Sequence, residues 1–142
     1  MKRRESGNVS VRHGEWGEDV ATEFLRRAGY EIVERNARPV KKDRRLDIDI
    51  VAYDRRNDSI VFVEVKQHAS HSPFEKRLRS VDGRKKANLL RACNAWRWEK
   101  AWRRSYRFDV VEVFGSPGEK SEVDHIRHVN LFAESGRFVR WD

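Results

Sequence analysis

The sequence is poor in the residues that mark secreted, membrane-spanning or disulfide-stabilised proteins. Its 142 residues include one cysteine, Cys93, and three prolines. A single cysteine excludes an internal disulfide bond, so the sequence carries no mark of an oxidising compartment. No apolar run approaches the roughly 20 residues that cross a bilayer, and the basic, polar N-terminus has no apolar segment behind it. We therefore expect a cytoplasmic protein that is neither secreted nor inserted in a membrane.

Several motifs of known enzyme classes are also missing. The sequence has no Gly-x-Ser-x-Gly elbow, no phosphate-cradling Gly-x-x-x-x-Gly-Lys and no dinucleotide-binding fingerprint. Strand alternation would send His125 and His128 to opposite faces, and only one cysteine is available as a partner. These absences exclude serine hydrolases and nucleotide-binding enzymes, and they argue against a zinc site.

What the sequence does have is a concentrated positive charge. The whole chain carries a formal net charge of +8, but residues 76–107 contain twelve basic and two acidic residues, a net charge of +10. A polyanion is the natural partner of such a segment, because each neutralised phosphate releases condensed counterions. The alternative is a solubilising helix surface. Within the segment we assign nucleic-acid binding to Arg79, Arg84, Lys85, Lys86 and Arg91.

The chain has the length and composition of one folded domain. Hydrophobic residues make up 38% and aromatic residues 11% of the sequence, a share that a disordered polyelectrolyte would lack. We expect residues 1–13 to form a flexible basic arm and residues 14–142 to form a single domain.

Periodicity predicts two helices and five strands. Apolar residues at four-residue spacing predict a helix over residues 14–28, with Gly29 as its left-handed C-terminal cap. A second helix is predicted from residue 81 or 82 to about residue 102. Strands are predicted over residues 30–34, 47–53, 60–65, 106–114 and 123–129. The order α, β, β, β, α, β, β predicts an α/β fold.

Two acidic residues interrupt apolar strands. Asp49 lies in the second predicted strand, and Glu64 and Lys66 lie in the third. Because side chains alternate along a strand, Glu64 and Lys66 project from one face. The short polar connector between these strands predicts an antiparallel hairpin, which brings Asp49 to that face.

The paired carboxylates predict a metal site. Two carboxylates about 4 Å apart repel by roughly 4 kcal/mol at an effective dielectric constant near 20, so the pair needs a proton or a cation. We expect Asp49 and Glu64 to hold Mg²⁺, and Lys66 to orient an attacking water in phosphodiester hydrolysis. The alternative is that these are edge-strand charges that point into solvent and discourage aggregation.

In combination, these segments resemble the YraN-like family of predicted endonucleases in the restriction-endonuclease-like superfamily. The resemblance covers most of the chain and is carried by Gly17-Glu18, Phe24-Leu25, Gly29-Tyr30, Arg35-Asn36, Asp47-Ile48-Asp49-Ile50-Val51, Phe62-Val63-Glu64-Val65-Lys66, Val81-Asp82, Lys85 and Arg107-Phe108-Asp109-Val110-Val111. It implies a central mixed β-sheet flanked by helices, a Mg²⁺ or Mn²⁺ site and DNA as the substrate. It also assigns Asp49, Glu64 and Lys66 as the catalytic set, with Glu18 as a further acidic contributor.

The sequence departs from the family pattern at two places. The family usually has Gly-Glu where this chain has Leu46-Asp47, and an arginine where this chain has His68. The acid at position 47 is kept but is one methylene shorter. These changes leave Asp49, Glu64 and Lys66 intact, so they bear on rate and substrate preference more than on metal binding.

Four residues keep two interpretations each. Glu18 either contributes to the site or stabilises the dipole of the helix from its first turn. Asp47 either supports the metal site or marks the solvated start of its strand. Trp98 and Trp102 lie among basic residues, where they either stack on nucleic-acid bases or pack in a protein interior or a homodimer contact.

We therefore expect a metal-dependent DNA endonuclease with one nuclease-like domain. No element is built for reading a base sequence, which favours branched or single-stranded DNA over a specific duplex site. The alternatives are a non-catalytic nucleic-acid-binding module on the same fold and a protein-interaction subunit of a DNA repair or uptake complex.

Overall fold

The structure is a computed structural model, which describes residues 9–69, 83–131 and 139–140. Within these ranges it contains two α-helices and seven β-strands. The helices are α1 (Val9–Arg27) and α2 (Gly83–Lys100), and the strands are β1 (Glu31–Ala37), β2 (Ile48–Asp54), β3 (Ser59–His68), β4 (Ser105–Phe114), β5 (Glu122–Ile126), β6 (Val129–Asn130) and β7 (Val139–Arg140). Neither helix is long and apolar enough to cross a bilayer.

Strands β1 to β5 form one mixed sheet in chain order. β3 and β4 are parallel, and the other neighbours are antiparallel. A parallel pair needs a crossover connection, and α2 lies within the segment that joins β3 to β4. The predicted α/β fold with a central mixed sheet is confirmed. The short pair β6 and β7 was not predicted, because two residues are too few to show an alternating pattern.

The two helices cover opposite faces of this sheet. On one face, Ala21 and Leu25 of α1 pack with Val61 and Val63 of β3. On the other, α2 packs against alternate residues of the same strand, and its inward side chains are Leu89, Ala92, Cys93 and Trp96. Each face of β3 is therefore apolar, as expected for a strand between two helical layers. This architecture is consistent with the restriction-endonuclease-like fold that the resemblance implied.

The first helix begins earlier than the sequence predicted. It starts at Val9 rather than Gly14, so residues 9–13 belong to α1 and not to an arm. Its first turn has no acidic residue to mark the start. Residues 1–8 of the predicted arm lie outside the described residues.

A buried charge cluster joins three strands at the end of β2 that is away from Asp49. The Arg107 guanidinium donates to Asp109 Oδ1 at 3.0 Å, to Asp54 Oδ2 at 2.9 Å and to the Tyr30 hydroxyl at 2.9 Å. Asp109 also pairs with His125 Nε2 at 2.7 Å. Burial opposes ionisation of Asp109, but the hydrogen bonds from His125 and Arg107 outweigh it and lower its pKa. These are structural charges, each with its partners in place.

α1 ends in the predicted glycine cap. The Tyr30 N–H donates to the Leu25 carbonyl and the Gly29 N–H to the Arg26 carbonyl, both at 3.0 Å. Gly29 has a φ of 99°, in the left-handed region. This pair of bonds is the Schellman motif, which satisfies the last free carbonyls of a helix.

α2 ends in the same motif without a glycine. The Trp102 N–H donates to the Arg97 carbonyl at 2.9 Å and the Ala101 N–H to the Trp98 carbonyl at 3.2 Å. Ala101 occupies the left-handed position with a φ of 54°. A Cβ is disfavoured in this conformation, so the end of α2 holds backbone strain that the end of α1 avoids.

These two caps predict opposite effects of opposite substitutions. We expect Ala101→Gly to raise the free energy of unfolding by about 1 kcal/mol and Gly29→Ala to lower it by about 1 kcal/mol. A Cβ at Gly29 would approach only Arg56 Nη2, at 3.6 Å, so packing adds nothing to the loss. Equilibrium urea unfolding of the two variants measures both effects, and shifts of the same sign would contradict the assignment.

Candidate functional site

Asp49 and Glu64 lie at the same end of the sheet on neighbouring strands. The paired residues of β2 and β3 end with Ile50 and Val63. Next to that pair, Asp49 Oδ2 accepts a hydrogen bond from the Val65 N–H at 2.8 Å. This hydrogen bond to the backbone of β3 fixes the Asp49 carboxylate beside Glu64.

A cavity of about 230 Å³ opens at this end of the sheet. Its lining residues come from α1, from β2 and the residue just before it, from β3 and from α2, and they are Glu18, Asp47, Asp49, Glu64, Val65, Gln67 and Lys85. The structure thus brings together the predicted acids and one of the predicted basic residues. The Nζ of Lys66 lies 3.6 Å from Glu64 Oε2, beside the same group. We call this set of side chains the acidic site, and its catalytic and metal-binding roles stay predictions.

Glu18 reaches the acidic site from the interior of α1. Because the helix begins at Val9, Glu18 is not in the first turn, and the interpretation of this residue as a helix-dipole acid is wrong. Its carboxylate lies 3.6 Å from Arg35 Nη2, which also pairs with Asp19 at 2.9 Å. Burial raises the pKa of Glu18, although Asn36 and Arg35 oppose the shift.

Asp47 lies both at the solvated start of its strand and beside the acidic site, the two positions that the sequence left open. It is exposed just before the first residue of β2, and it also lines the acidic site. Burial raises its pKa, and the negative charge of Glu64 adds to the shift. Asp47 is therefore another acid whose charge the site only partly compensates.

The most perturbed carboxyl group of the site is that of Asp49. Burial raises its pKa to about 8, and the charges of Glu64, Glu18 and Asp47 add to the shift. The hydrogen bond from the Val65 N–H opposes it. At neutral pH this group therefore needs a proton or a nearby cation to be stable.

Two lysines form ion pairs with the Glu64 carboxylate. The Nζ of Lys85 lies 2.7 Å from Glu64 Oε2, and that of Lys66 lies 3.6 Å away. Burial lowers the pKa of Lys66; Glu64 opposes this shift, and Lys85 adds to it. Burial also disfavours the charge of Lys85, but Glu64 outweighs it and raises the pKa of Lys85. The shifts are opposite in direction, so Lys85 keeps its proton to a higher pH than Lys66.

The donor set fits a hard divalent cation. Gln67 Oε1 is buried without a hydrogen-bond partner, and its side chain lines the acidic site. An amide oxygen beside several carboxylates is a ligand type that Mg²⁺ accepts. No three or more His, Cys, Asp or Glu side chains within the described residues form a ready-made metal cluster. Mg²⁺ does not need one, because it keeps several waters and uses one or two carboxylates together with substrate phosphates.

Gln67 is the contributor that sequence analysis missed. It neighbours Lys66, so strand alternation places it on the other side of β3, towards α1. It lies directly against Gly17, where an added Cβ would come within 2.6 Å of Gln67 Oε1. The glycine of the Gly17-Glu18 pair was the one available signal of this close approach.

The predicted nucleic-acid-binding residues differ in position. Lys85 reaches the acidic site, and Arg91 is exposed on α2. Lys86 is buried, with 4% of its surface exposed, and burial lowers its pKa. Lys86 is therefore less accessible to a nucleic acid than Lys85 and Arg91, and the nucleic-acid-binding role assigned to it stays a prediction. Arg79 lies outside the described residues, and Arg84 lies in the first turn of α2.

His68 replaces the arginine expected at its position and pairs with a buried acid. Its Nε2 lies 3.1 Å from Glu112 Oε2, and its ring stacks on Phe114 with centroids 5.2 Å apart. Glu112 is fully buried. His68 thus supplies a nitrogen partner for Glu112, the β4 residue that pairs in register with Lys66 of β3.

Comparisons with known proteins agree with the motif resemblance. A family model described as "Uncharacterised protein family UPF0102" matches residues 17–113. A UPF0102 protein of Nitratidesulfovibrio vulgaris (strain DP4) is 38% identical over 124 residues, which cover 83% of this chain and 84% of the relative. One from Syntrophomonas wolfei is 38% identical over 84% of this chain and 96% of its own. One from Syntrophotalea carbinolica is 40% identical over 79% and 85%. This is the YraN family that the motifs indicated.

The pKa of Asp49 predicts how stability depends on pH without metal. Its folded-state pKa of about 8 lies above its ordinary value of 3.8, so protonation favours the folded state. That stabilisation is complete below about pH 4 and is lost as the pH rises through about 8. We expect Asp49→Asn, which cannot ionise, to be more stable than the parent protein near pH 8 in EDTA. Thermal unfolding at about pH 5 and about pH 8 measures the difference.

Asp54, at the other end of β2, is the matched control. Burial disfavours its charge, but Arg107 and Asn57 outweigh burial and lower its pKa. Asp54→Asn should therefore destabilise the protein near pH 8, by about 3 kcal/mol, because it breaks a buried pair. Mg²⁺ should raise the melting temperature of the parent protein near pH 8 but not that of Asp49→Asn. Equal destabilisation by both substitutions would contradict this account of the acidic site.

The contact between Gly17 and Gln67 predicts a separation of stability from metal binding. Gly17→Ala should keep or raise helix stability, by up to about 1 kcal/mol. Its Cβ would push away the Gln67 amide, so Mn²⁺ affinity should fall by about tenfold, as when a supporting group of a metal site is lost. Gln67→Ala should show the same loss of affinity. Titration of Mn²⁺ by calorimetry measures it, and unchanged binding in both variants would remove Gln67 from the site.

Proposed function

We propose that this chain, which belongs to the uncharacterised protein family UPF0102, is a metal-dependent endonuclease that hydrolyses phosphodiester bonds of DNA. The observation that carries the proposal is the Asp49 carboxyl group, buried among other acids with a pKa of about 8. A protein gains no stability from such an arrangement, and strongly perturbed groups in a cleft are typical of functional sites.

The chain's own residues divide the work of hydrolysis. Asp49 and Glu64 would hold Mg²⁺ or Mn²⁺, which when bound polarises the scissile phosphate and lowers the pKa of a water. Lys66 would orient the attacking water and offset the negative charge that develops on the phosphoryl oxygens, and solvent would accept the proton of that water. The water oxygen forms a bond to phosphorus, and the bond between phosphorus and the leaving oxygen breaks. A proton from solvent completes the leaving hydroxyl group.

Lys85 links the acidic site to the substrate. Its ammonium group contacts Glu64 at 2.7 Å, and 48% of its side chain remains exposed. It lies in the first turn of α2, where backbone N–H groups favour phosphate oxygens. A phosphate entering the site therefore meets a cation already held in place.

Two alternatives account for less of the geometry. A non-catalytic DNA-binding module needs the basic segment but has no use for a buried carboxylate that is unstable without a cation. A protein-interaction subunit predicts neither steep salt dependence of DNA binding nor a response to divalent metal. Binding without cleavage separates the first alternative from the proposal, and salt-insensitive retention on a DNA column identifies the second.

Cleavage assays on branched, single-stranded and duplex DNA with Mn²⁺ test the proposal. We expect Lys66→Ala to lower the cleavage rate by about 100- to 1,000-fold, because it removes the cation nearest the attacking water. Asp49→Asn should abolish cleavage. Lys120→Ala, which removes an exposed lysine between β4 and β5, is the control and should cleave like the parent protein.

Affinity for DNA in EDTA should stay close to that of the parent protein in the Lys66 variant, which separates chemistry from binding. Cleavage that survives both Asp49→Asn and Lys66→Ala would place the chemistry elsewhere. The absence of cleavage on all three substrates, with DNA binding intact, would support the non-catalytic module.

A further inference from the structure

A second surface, at the C-terminal end of α2, combines an exposed indole with arginines. A cavity of about 450 Å³ opens there, lined by Asn94, Arg97, Trp98, Ala101, Trp102 and Arg103. Its volume falls within the roughly 300–1,000 Å³ of sites that take small organic ligands. We call it the tryptophan cleft. None of its residues lines the acidic site.

Trp98 does not serve the core. It is 82% exposed, the most exposed large hydrophobic residue in the described part of the chain. Trp96, two residues earlier, is buried against Phe62 with ring centroids 5.6 Å apart. Tryptophan is highly buried in most proteins, so an indole left in water beside a cavity indicates a surface that is covered in use.

One arginine of the cleft is held in place by an aromatic ring. The Arg97 guanidinium lies 3.9 Å from the centre of the Tyr106 ring. Arg97 Nε is buried without a hydrogen-bond partner. Cations fixed by stacking lose little freedom when they meet an anion, so the cleft is preorganised for a ligand with negative charge.

We propose that the tryptophan cleft binds single-stranded nucleic acid, with a base stacked on Trp98 and the flanking phosphates on Arg97 and Arg103. Aromatic rings interleaved with cations are the usual means of holding unpaired bases, because every base has a face that stacks. Bases within a duplex keep their faces covered by their neighbours. The cleft therefore selects an unpaired strand.

A second copy of the chain fits this surface less well. A two-fold contact through Trp98 would bring each arginine of the cleft close to the same arginines of the other copy. Like charges facing each other across an interface oppose association. A homodimer contact was the alternative interpretation of Trp98 and Trp102. The experiments below therefore include a measurement of dimer formation.

The cleft and the acidic site lie at opposite ends of one helix. Lys85 and Trp98 are separated by about 20 Å along α2. Arg91 and Asn94 lie between them: Asn94 is four residues before Trp98 and Arg91 is three residues before Asn94, which places all three on one exposed face. That distance corresponds to about six nucleotides at the roughly 3.4 Å rise of a stacked strand. The inference rests on the proposed function only in taking DNA as the polymer, and it predicts cleavage a short distance from a single-stranded end or gap.

Binding measurements without metal test the cleft independently of catalysis. In EDTA, we expect Trp98→Ala to lower the affinity for an oligothymidine by about tenfold, as loss of one stacked base predicts. Trp98→Phe should keep most of the affinity, and the affinity for blunt duplex should not change. Val33→Ala, at an exposed apolar residue on β1, is the control. Quenching of tryptophan fluorescence by the oligothymidine should be weaker in Trp98→Ala than in Val33→Ala.

The outcomes separate this proposal from that of the acidic site. Equal affinity of Trp98→Ala and the parent protein for the oligothymidine would overturn the cleft proposal, whatever the cleavage rate. A dimer in sedimentation that Trp98→Ala dissociates, with unchanged DNA affinity, would assign the cleft to self-association and also overturn it. Absence of cleavage together with a Trp98-dependent affinity would overturn only the nuclease proposal. Unchanged urea unfolding of Trp98→Ala excludes misfolding as the cause.

Discussion

Repulsion among carboxylates that crowd together at one end of the sheet is the constraint on which the acidic site depends. Asp49, Glu64, Glu18 and Asp47 converge from different elements, while Lys66 and Lys85 pair with Glu64 and Arg35 lies beside Glu18. The sheet holds the carboxylates there regardless, because apolar side chains on either side of β2 and β3 pin both strands between two helices. Packing energy therefore sustains a charge arrangement that is unfavourable by itself. In the function that we propose, a divalent cation would relieve the repulsion, and its binding would link this fold to hydrolysis.

β2 carries two aspartates in opposite environments. Asp54 is paired with a cation, whereas Asp49 is not within the described part of the chain, and this contrast distinguishes a structural carboxylate from a candidate functional one. Asp54, at the end of the strand, is paired with Arg107 and has a lowered pKa. Asp49, near the start, has only the Val65 N–H as a hydrogen-bond partner among the described residues, and its pKa is raised. The Arg107 cluster satisfies every charge that it buries, so it contributes stability and specificity of packing. The acidic site leaves charge uncompensated, which is what a ligand-binding site requires.

Local patterns were sufficient for the fold and for the core of the site. The period of two along β2 and β3 predicted that Asp49, Glu64 and Lys66 share a face, because alternation is a property of the strand alone. The start of α1 carries no local signal in its first turn, so the place of Glu18 within the helix was wrong. Gln67 enters the site only through the close approach of Gly17, a contact between distant parts of the chain. The burial of Lys86 was equally hidden, since a run of basic residues resembles a solvated face.

The most direct test of this account is the position of a bound Mn²⁺ ion, located by anomalous scattering in crystals of the protein soaked in Mn²⁺. We expect an anomalous peak within about 2.2 Å of carboxylate oxygens of both Asp49 and Glu64, at the distance typical of hard cations. A peak elsewhere on the protein, or none at this cavity when Mn²⁺ is in excess, would contradict it.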